Sequence, residues 1–269
     1  MMSFLIAGLL LAALYLFLIA PSCRRPHDSR LRGWLYAHRG LHDGNKNVME
    51  NSMAAFELAG EKGYGIELDV QLTRDNRLVV YHDASLKRLC GVDRRICHMD
   101  WASLPPLPDG SRIPLLTEVL GMVDGRAPLM VELKRGGGAA RVARAAHREL
   151  ETYHGPYCVE SFNPIALRYF RRHAPHILRG QLSVGGAWRK SNLNPLSHFA
   201  LKYLLPNALS RPHFVACSVP EDRSLSMWLM KHVFRLPLAC WTVRDQQTLD
   251  YARREGYRYP IFECFEPKR

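Results

Sequence analysis

Apolar and polar positions fall into three regimes along this chain. The first is Phe4–Ala20, 17 residues without a charge. With Ser3 and Pro21 it makes about 28 Å of helix, close to the hydrocarbon thickness of a bilayer. A cleaved leader would carry a basic residue before a shorter apolar run and end on a small-x-small site. Here no Lys or Arg precedes Phe4, and "APSC" before Arg24 is a poor lipoprotein-type site. The pattern predicts one uncleaved transmembrane anchor over residues 1–23, then a basic linker over 24–33. Arg24, Arg25, Arg30 and Arg32 follow the span at once. By the positive-inside rule they put the rest of the chain in the cytoplasm, on a single-pass cell-membrane protein. The same arginines suit anionic headgroups.

The second regime alternates short apolar runs with amphipathic ones. Strands are expected at Trp34–His38, Gly65–Leu72, Leu78–His82, Leu129–Lys134, Tyr157–Ser161, Leu178–Leu182, Phe214–Ser218, Leu238–Val243 and Tyr259–Phe262. Helices are expected at Ser52–Lys62, Ala139–Glu151, Pro164–His173 and Gln246–Glu255. Strands alternating with helices argue for a parallel sheet. About eight such units predict a closed α/β barrel of the TIM (β/α)8 type over residues 34–269. No G-x-G-x-x-G fingerprint supports an open doubly wound sheet.

The third regime interrupts this rhythm. Residues 87–112, with "LPPLPDG", read as a small insertion after the second barrel strand. Residues 185–212 read as a second, with "FALKYLL" at its centre. It is expected to pack on the barrel, with covering the site or touching the membrane as alternatives.

Charge and cysteines change this picture little. The net charge of +12 is spread without a long Lys/Arg run, so anionic lipid or phosphorylated substrates are candidate partners. Nothing resembles a nucleic-acid motif. The seven cysteines are odd in number and lack C-x-x-C spacing. Reduced, buried thiols are expected.

Candidate chemistry begins with "GIELDVQL". Residues two apart on a strand share a face, so Glu67 and Asp69 point the same way. Two carboxylates about 5 Å apart repel by roughly 3 kcal/mol at an effective dielectric near 20. They need a proton, basic partners, a metal or water. Polar residues recur at neighbouring strand ends: His38 and Arg39, His82 and Asp83, Glu132 and Lys134, Ser161, and Trp241. In a barrel of this kind those ends form the reactive face. Glu67, Asp69 and Glu132 would converge, with Arg39 and Lys134 offsetting part of their charge. Three oxygen donors suit one divalent cation, Ca²⁺ or Mg²⁺; a metal-free ion-pair cluster is the alternative. Two flanking imidazoles suit proton transfer near neutrality. The residues read as metal-assisted cleavage of a phosphate ester or diester.

The ordered set "HRG" at 38–40, "EN" at 50–51, "AF" at 55–56, "ELDVQLTRDNRLVVYHD" at 67–83, "ELK" at 132–134, "SF" at 161–162 and "WTV" at 241–243 resembles the glycerophosphodiester phosphodiesterase family, from residue 34 to about 265. The resemblance implies a TIM-type barrel in which 87–112 matches the family's small insertion. It implies Glu67, Asp69 and Glu132 as metal ligands and His38 and His82 as the general acid/base pair. By the same match Arg39 and Lys134 contact phosphate, Glu50 and Asn51 support the site, and Trp241 walls the pocket. The implied reaction releases glycerol 3-phosphate and an alcohol from a glycerophosphodiester. The last strand departs from the pattern: "YPIFECFEP" stands where many members have an "I-x-T-D-x-P"-like end, which puts substrate contacts at that edge in question. The anchor and the 185–212 segment leave room for lysophospholipase D-like action on membrane lysolipids. A non-catalytic, membrane-anchored binding module is the remaining reading; such a barrel would usually have lost a histidine or a metal acid, and here none is missing.

Overall fold

The computed structural model describes residues 1–186, 193–219 and 224–268. Nine strands and ten α-helical segments follow one another: α1 Met2–Ile19, β1 Tyr36–Ala37, α2 Met53–Glu61, β2 Gly65–Leu72, β3 Leu78–Val80, α3 Lys87–Cys90, α4 Leu116–Val123, β4 Leu129–Leu133, α5 Ala139–Leu150, β5 Tyr157–Ser161, α6 Pro164–His173, β6 Arg179–Leu182, α7 Pro195–Lys202, α8 Asn207–Ser210, β7 Phe214–Ser218, α9 Leu225–Trp228, β8 Leu238–Val243, α10 Gln246–Arg254 and β9 Tyr259–Phe262. Eight strands are parallel neighbours in the order β1-β2-β4-β5-β6-β7-β8-β9, and β9 pairs back onto β1. The sheet therefore closes into the expected TIM-type barrel.

β2 shows how one strand builds both layers. All eight residues are buried. Ile66, Leu68 and Val70 join the apolar layer under the helices, with Phe56, Leu116, Val119 and Val142. Glu67 and Asp69 take the opposite face, into the barrel. Apolar side chains plug the lumen below them: Tyr36, Met130, Cys158, Phe214, Ala239, Tyr259 and Ile261. Helix starts are set locally. Ser52 accepts from the Ala55 amide, Asn163 from Ile165 ahead of Pro164, and Asp245 from Thr248; each cap contributes about 1 kcal/mol.

Two expectations need correction. β3 is not a barrel stave. It pairs antiparallel with β2 through a turn at residues 73–77, where Asn76 has φ +60. The excursion from the barrel thus begins at β3 rather than at residue 87. It closes over its own apolar cluster of Met49, Val79, Tyr81, Leu86, Ile96, Leu107, Ile113 and Leu115. Residues 185–212 are not an added insertion. Their described part, α7 and α8, is the crossover from β6 to β7, with Leu201 and Leu204 buried; residues 187–192 lie outside the described residues.

α1 has a mean hydropathy of 2.6 over 18 residues, long and apolar enough to cross a bilayer. Among the described residues, its C-terminal end, from Tyr15 on, meets the barrel. Asn207 donates to the Ile19 carbonyl, Arg211 to those of Phe17 and Ala20, and Tyr15 Oη to that of Tyr203. All seven cysteines are free thiols.

Candidate active site

The site lies at the C-terminal ends of the barrel strands. His38 follows β1, and its amide donates to the Phe262 carbonyl, continuing the ladder. The turn that follows is tight. Arg39 and Gly40 have φ of +57 and +79, and a Cβ on Gly40 would lie 2.8 Å from Ala55 backbone, so only glycine fits there. The turn aims the Arg39 amide at Glu67 Oε2, 2.9 Å away.

Register brings the acids together. Asp69 on β2 is opposite Glu132 on β4, which is opposite Glu160 on β5. One carboxylate oxygen each from Glu67, Asp69 and Glu132 lies within 4.8 Å of the others. Lys134 Nζ bridges Asp69 and Glu132 at 2.8 and 2.7 Å. Arg39 bonds Glu50 at 2.8 Å and lies 3.5 Å from Asp69. Asn51 donates to Asp69 Oδ2 at 2.8 Å. Glu50 binds Arg39, Arg88 and Asn45 at once. Glu50 therefore holds Arg39, and Asn51 holds Asp69, from behind.

The charges do not balance. Five buried acids, Glu50, Glu67, Asp69, Glu132 and Glu160, face three cations, Arg39, Lys134 and Arg88. Burial, then the charges of Asp69 and Glu132, push the Glu67 carboxyl well above its ordinary range. Burial also raises Glu132, although Lys134 opposes it. Burial would raise Asp69 too, but Lys134, His82 and Arg39 hold it well below. A divalent cation would relieve this excess of negative charge. The spread of the three oxygens also fits the span of about 5 Å between opposite ligands of one calcium ion. The donor set fits a hard cation.

His82 reaches this site by a route the sequence pattern did not show. The antiparallel β3 carries the chain back, and the Tyr81 amide donates to the Asp69 carbonyl. Gln71 then donates to the carbonyls of both Tyr81 and Asp83, on either side of His82. Each histidine has a carboxylate on Nδ1. Asp83 Oδ1 is 2.6 Å from His82, and Glu263 Oε1 is 2.9 Å from His38. Burial lowers the His38 pKa, against the pull of Glu263. Asp83 is held below its ordinary range, against burial, by His82 and Arg88.

His38, Arg39, Glu67, His82, Glu132, Lys134 and Trp241 line one cleft of about 240 Å³, with Glu160, Phe162, Leu182, Thr242, Arg244 and Ile261. Trp241 stands edge-on to Phe162, centroids 5.9 Å apart. Ser161 is a correction: its hydroxyl donates to the Leu133 carbonyl inside the sheet, and its neighbour Glu160 takes the place in the cleft. Sequence reasoning also missed Gln71, Arg88 and Arg244, and marked Glu263 only as a departure from the pattern of the last strand, not as the partner of His38. "VESF" did carry a signal, an acid alone in an apolar strand.

The profile of the glycerophosphoryl diester phosphodiesterase family matches residues 38–258. A glycerophosphodiester phosphodiesterase of Caldanaerobacter subterraneus subsp. tengcongensis is 35% identical over 161 residues, 54% of this chain and 65% of the relative. One of Bacillus altitudinis is 33% identical over 159 residues, 53% of this chain and 63% of the relative. These matches span just under two thirds of either relative. A human lysophospholipase D is 32% identical over 124 residues, 40% of this chain and 39% of the relative. Among solved structures, an Oleispira antarctica phosphodiesterase in complex with the product sn-glycerol-3-phosphate superposes with a TM-score of 0.68. That match is at 22% identity, over 87% of this chain and 93% of that one, and it supports the barrel. With its profile covering most of the barrel, this chain belongs to the glycerophosphoryl diester phosphodiesterase family.

Proposed function

We propose that this protein hydrolyses glycerophosphodiesters to glycerol 3-phosphate and an alcohol. The observation that carries the reading is the pair of imidazoles in one cleft with three clustered acids, each imidazole held by a carboxylate on Nδ1. With Nδ1–H given to the carboxylate, Nε2 of each ring is left for the reaction. His38 Nε2 lies 3.9 Å from Glu67, at the edge of the acidic cluster. One imidazole accepts the proton of the attacking oxygen, either from water, which gives glycerol 3-phosphate directly, or from the substrate's glycerol hydroxyl, which gives a cyclic phosphate that water then opens. The other delivers a proton to the departing alcohol oxygen as its bond to phosphorus breaks.

Glu67, Asp69 and Glu132 would hold one Ca²⁺ or Mg²⁺. When bound, the ion supplies charge stabilisation to phosphate oxygens. Lys134 and Arg39 add fixed positive charge for the phosphate. Trp241 and Phe162 give the organic part of the substrate an apolar wall. In this reading α1 anchors the protein in the cell membrane, and Arg24, Arg25, Arg30 and Arg32 keep the barrel on the cytoplasmic side.

The test is release of glycerol 3-phosphate from glycerophosphocholine by the purified full chain, with chelator and with Ca²⁺ or Mg²⁺ restored. Release is expected only with metal, and His38→Ala or His82→Ala abolishes it. Full turnover in either variant overturns the acid/base assignment. A second reading, hydrolysis of lysolipids, is favoured by the similarity to lysophospholipases D together with the anchor. Lysophosphatidylcholine in the same assay separates the two.

A further inference from the structure

Outside the first 20 residues, and among the described ones, seven large apolar side chains are exposed: Ile165, Leu196, Phe199, Leu209, Leu225, Trp228 and Val233. Six of them lie on the two connections from β6 to β8, the segments into which α1 is tied. Leu196, Phe199 and Tyr203 recur at helical spacing along α7 and its end, with the rings of Phe199 and Tyr203 4.6 Å apart. The Tyr203 carbonyl accepts from Tyr15 of α1. Leu225 and Trp228 share a face of α9, and Val233 closes the π-helical turn, Leu229–Val233, that continues it. Ser226 of α9 donates to the Lys202 carbonyl at 2.8 Å. Two apolar stripes therefore flank the point where the anchor leaves the barrel.

We propose that α7, α9 and the last turn of α1 form one bilayer-docking surface, seated in the interface of an anionic membrane. This rests on reading α1 as a membrane span. The helix fixes what its neighbours meet. Bonds at Tyr15, Phe17, Ile19 and Ala20 hold its last turn against the barrel, so side chains beside that turn face the lipid surface the helix enters. Apolar side chains with a tryptophan among them match such an interface. The rim is basic: Arg211 lies over the Phe17 ring, and Arg25 donates to the carbonyls of Phe234 and Arg235. Anionic headgroups are the complementary charge.

The surface also has a direction. α7 and α9 follow β6 and β7, so their starts are at the same end of the barrel as the cleft. The apolar part of the cleft, Phe162, Leu182, Trp241 and Ile261, comes from β5, β6, β8 and β9. Most of the charged part comes from β1, β2, β3 and β4; Glu160 of β5 and Arg244 after β8 are the exceptions. Docking brings the apolar half of the mouth to the lipid, where a lysolipid keeps its tail in the bilayer while its phosphodiester enters.

The experiment uses the full chain in phosphatidylcholine–phosphatidylglycerol vesicles containing lipid brominated near the headgroup. Tryptophan emission should be quenched, and Trp228→Phe should remove most of the quenched component. Leu9→Trp, measured with lipid brominated deep in the acyl chains because residue 9 of a spanning α1 lies near mid-bilayer, reports on the anchor separately. Quenching at residue 9 without any at Trp228 overturns the docking surface and leaves the anchor standing. No quenching at residue 9 overturns the anchor and the surface with it. A detergent-stable dimer dissociated by Phe199→Asp or Trp228→Asp assigns the face to a second copy instead and overturns the proposal. A variant with Leu196, Phe199, Leu225 and Trp228 all changed to Ser should lose about fivefold or more of its turnover of vesicle-borne lysophosphatidylcholine. Its hydrolysis of dissolved glycerophosphocholine should stay within about twofold. Equal loss on both substrates overturns the directional claim.

Discussion

Glu263 Oε1 lies 2.9 Å from Nδ1 of His38, and its other oxygen is 2.8 Å from Arg244. The residue that breaks the familiar pattern of the last strand thus acts on a histidine. A carboxylate here fixes the ring, keeps Nδ1 protonated and favours the imidazolium.

Replacing Glu263 by Gln removes that preference, since an amide can present N–H to Nδ1 and force the wrong tautomer. Turnover is expected to fall by about 10²–10⁴-fold with KM little changed. Loss of the carboxylate also removes an interaction that raises the His38 pKa. The limb of the pH–rate profile that His38 governs should therefore move to lower pH. A profile of unchanged shape and position would assign Glu263 a purely structural role.

The second imidazole depends on a longer chain of contacts. Arg88 donates to Asp83 Oδ2 at 2.6 Å and to both oxygens of Glu50 at 2.9 and 2.6 Å. It links the carboxylate behind His82 to the one behind Arg39. Arg88→Met should lower kcat by about tenfold or more through misorientation of His82. Its side chain is 43% exposed, so the stability loss should be only about 1 kcal/mol. Arg88→Lys should rescue part of the activity, because an ammonium cannot make the forked contact. Thermal melts beside the kinetics separate the two effects.

The sequence made some of this legible and hid the rest for physical reasons. Gly65–Leu72 was read to the residue because its outer positions are apolar and its inner ones carry the acids. The convergence of Glu67, Asp69 and Glu132 followed from period two on neighbouring strands. The antiparallel sense of β3 was not legible, because a short apolar run looks alike in either direction. Gln71 carries no local signal of its part in the site, although its amide holds both flanks of His82. The crossover through α7 and α8 passed for an insertion, because it is two short helices rather than one periodic one. Glu263 pairs with His38 across 225 residues, a contact no local pattern encodes.

Metal binding should appear as stability as well as activity. In the fold, Glu67 and Glu132 are pushed above their ordinary range by burial; a cation removes that penalty only in the native state. At free metal about 100 times Kd the gain is about 2.7 kcal/mol, which for a domain of this size is a Tm rise of about 5–10 °C. Chelator should reverse it, and Glu132→Gln should abolish most of it. A melt indifferent to Ca²⁺, Mg²⁺ and chelator would remove the metal from the reading of this site.

His213 gives the fold an acid limit unrelated to catalysis. Its Nδ1 accepts from the buried Arg179 amide at 3.2 Å, which only the neutral ring can do. Burial, and then the Arg179 charge, lower its pKa to about 3. An unfolded chain protonates the same ring near pH 6.5. Between about pH 6.5 and 3 the unfolded state therefore binds a proton that the native state does not, and stability falls as pH falls through that window. Above it the contribution is fully present. His213→Asn retains an acceptor without a titrating ring. It should flatten the decline in urea midpoint from pH 6.5 to 4 while costing about 1–2 kcal/mol at pH 7.5 from altered packing. Parallel pH–stability curves for the two proteins would show that His213 does not set this slope.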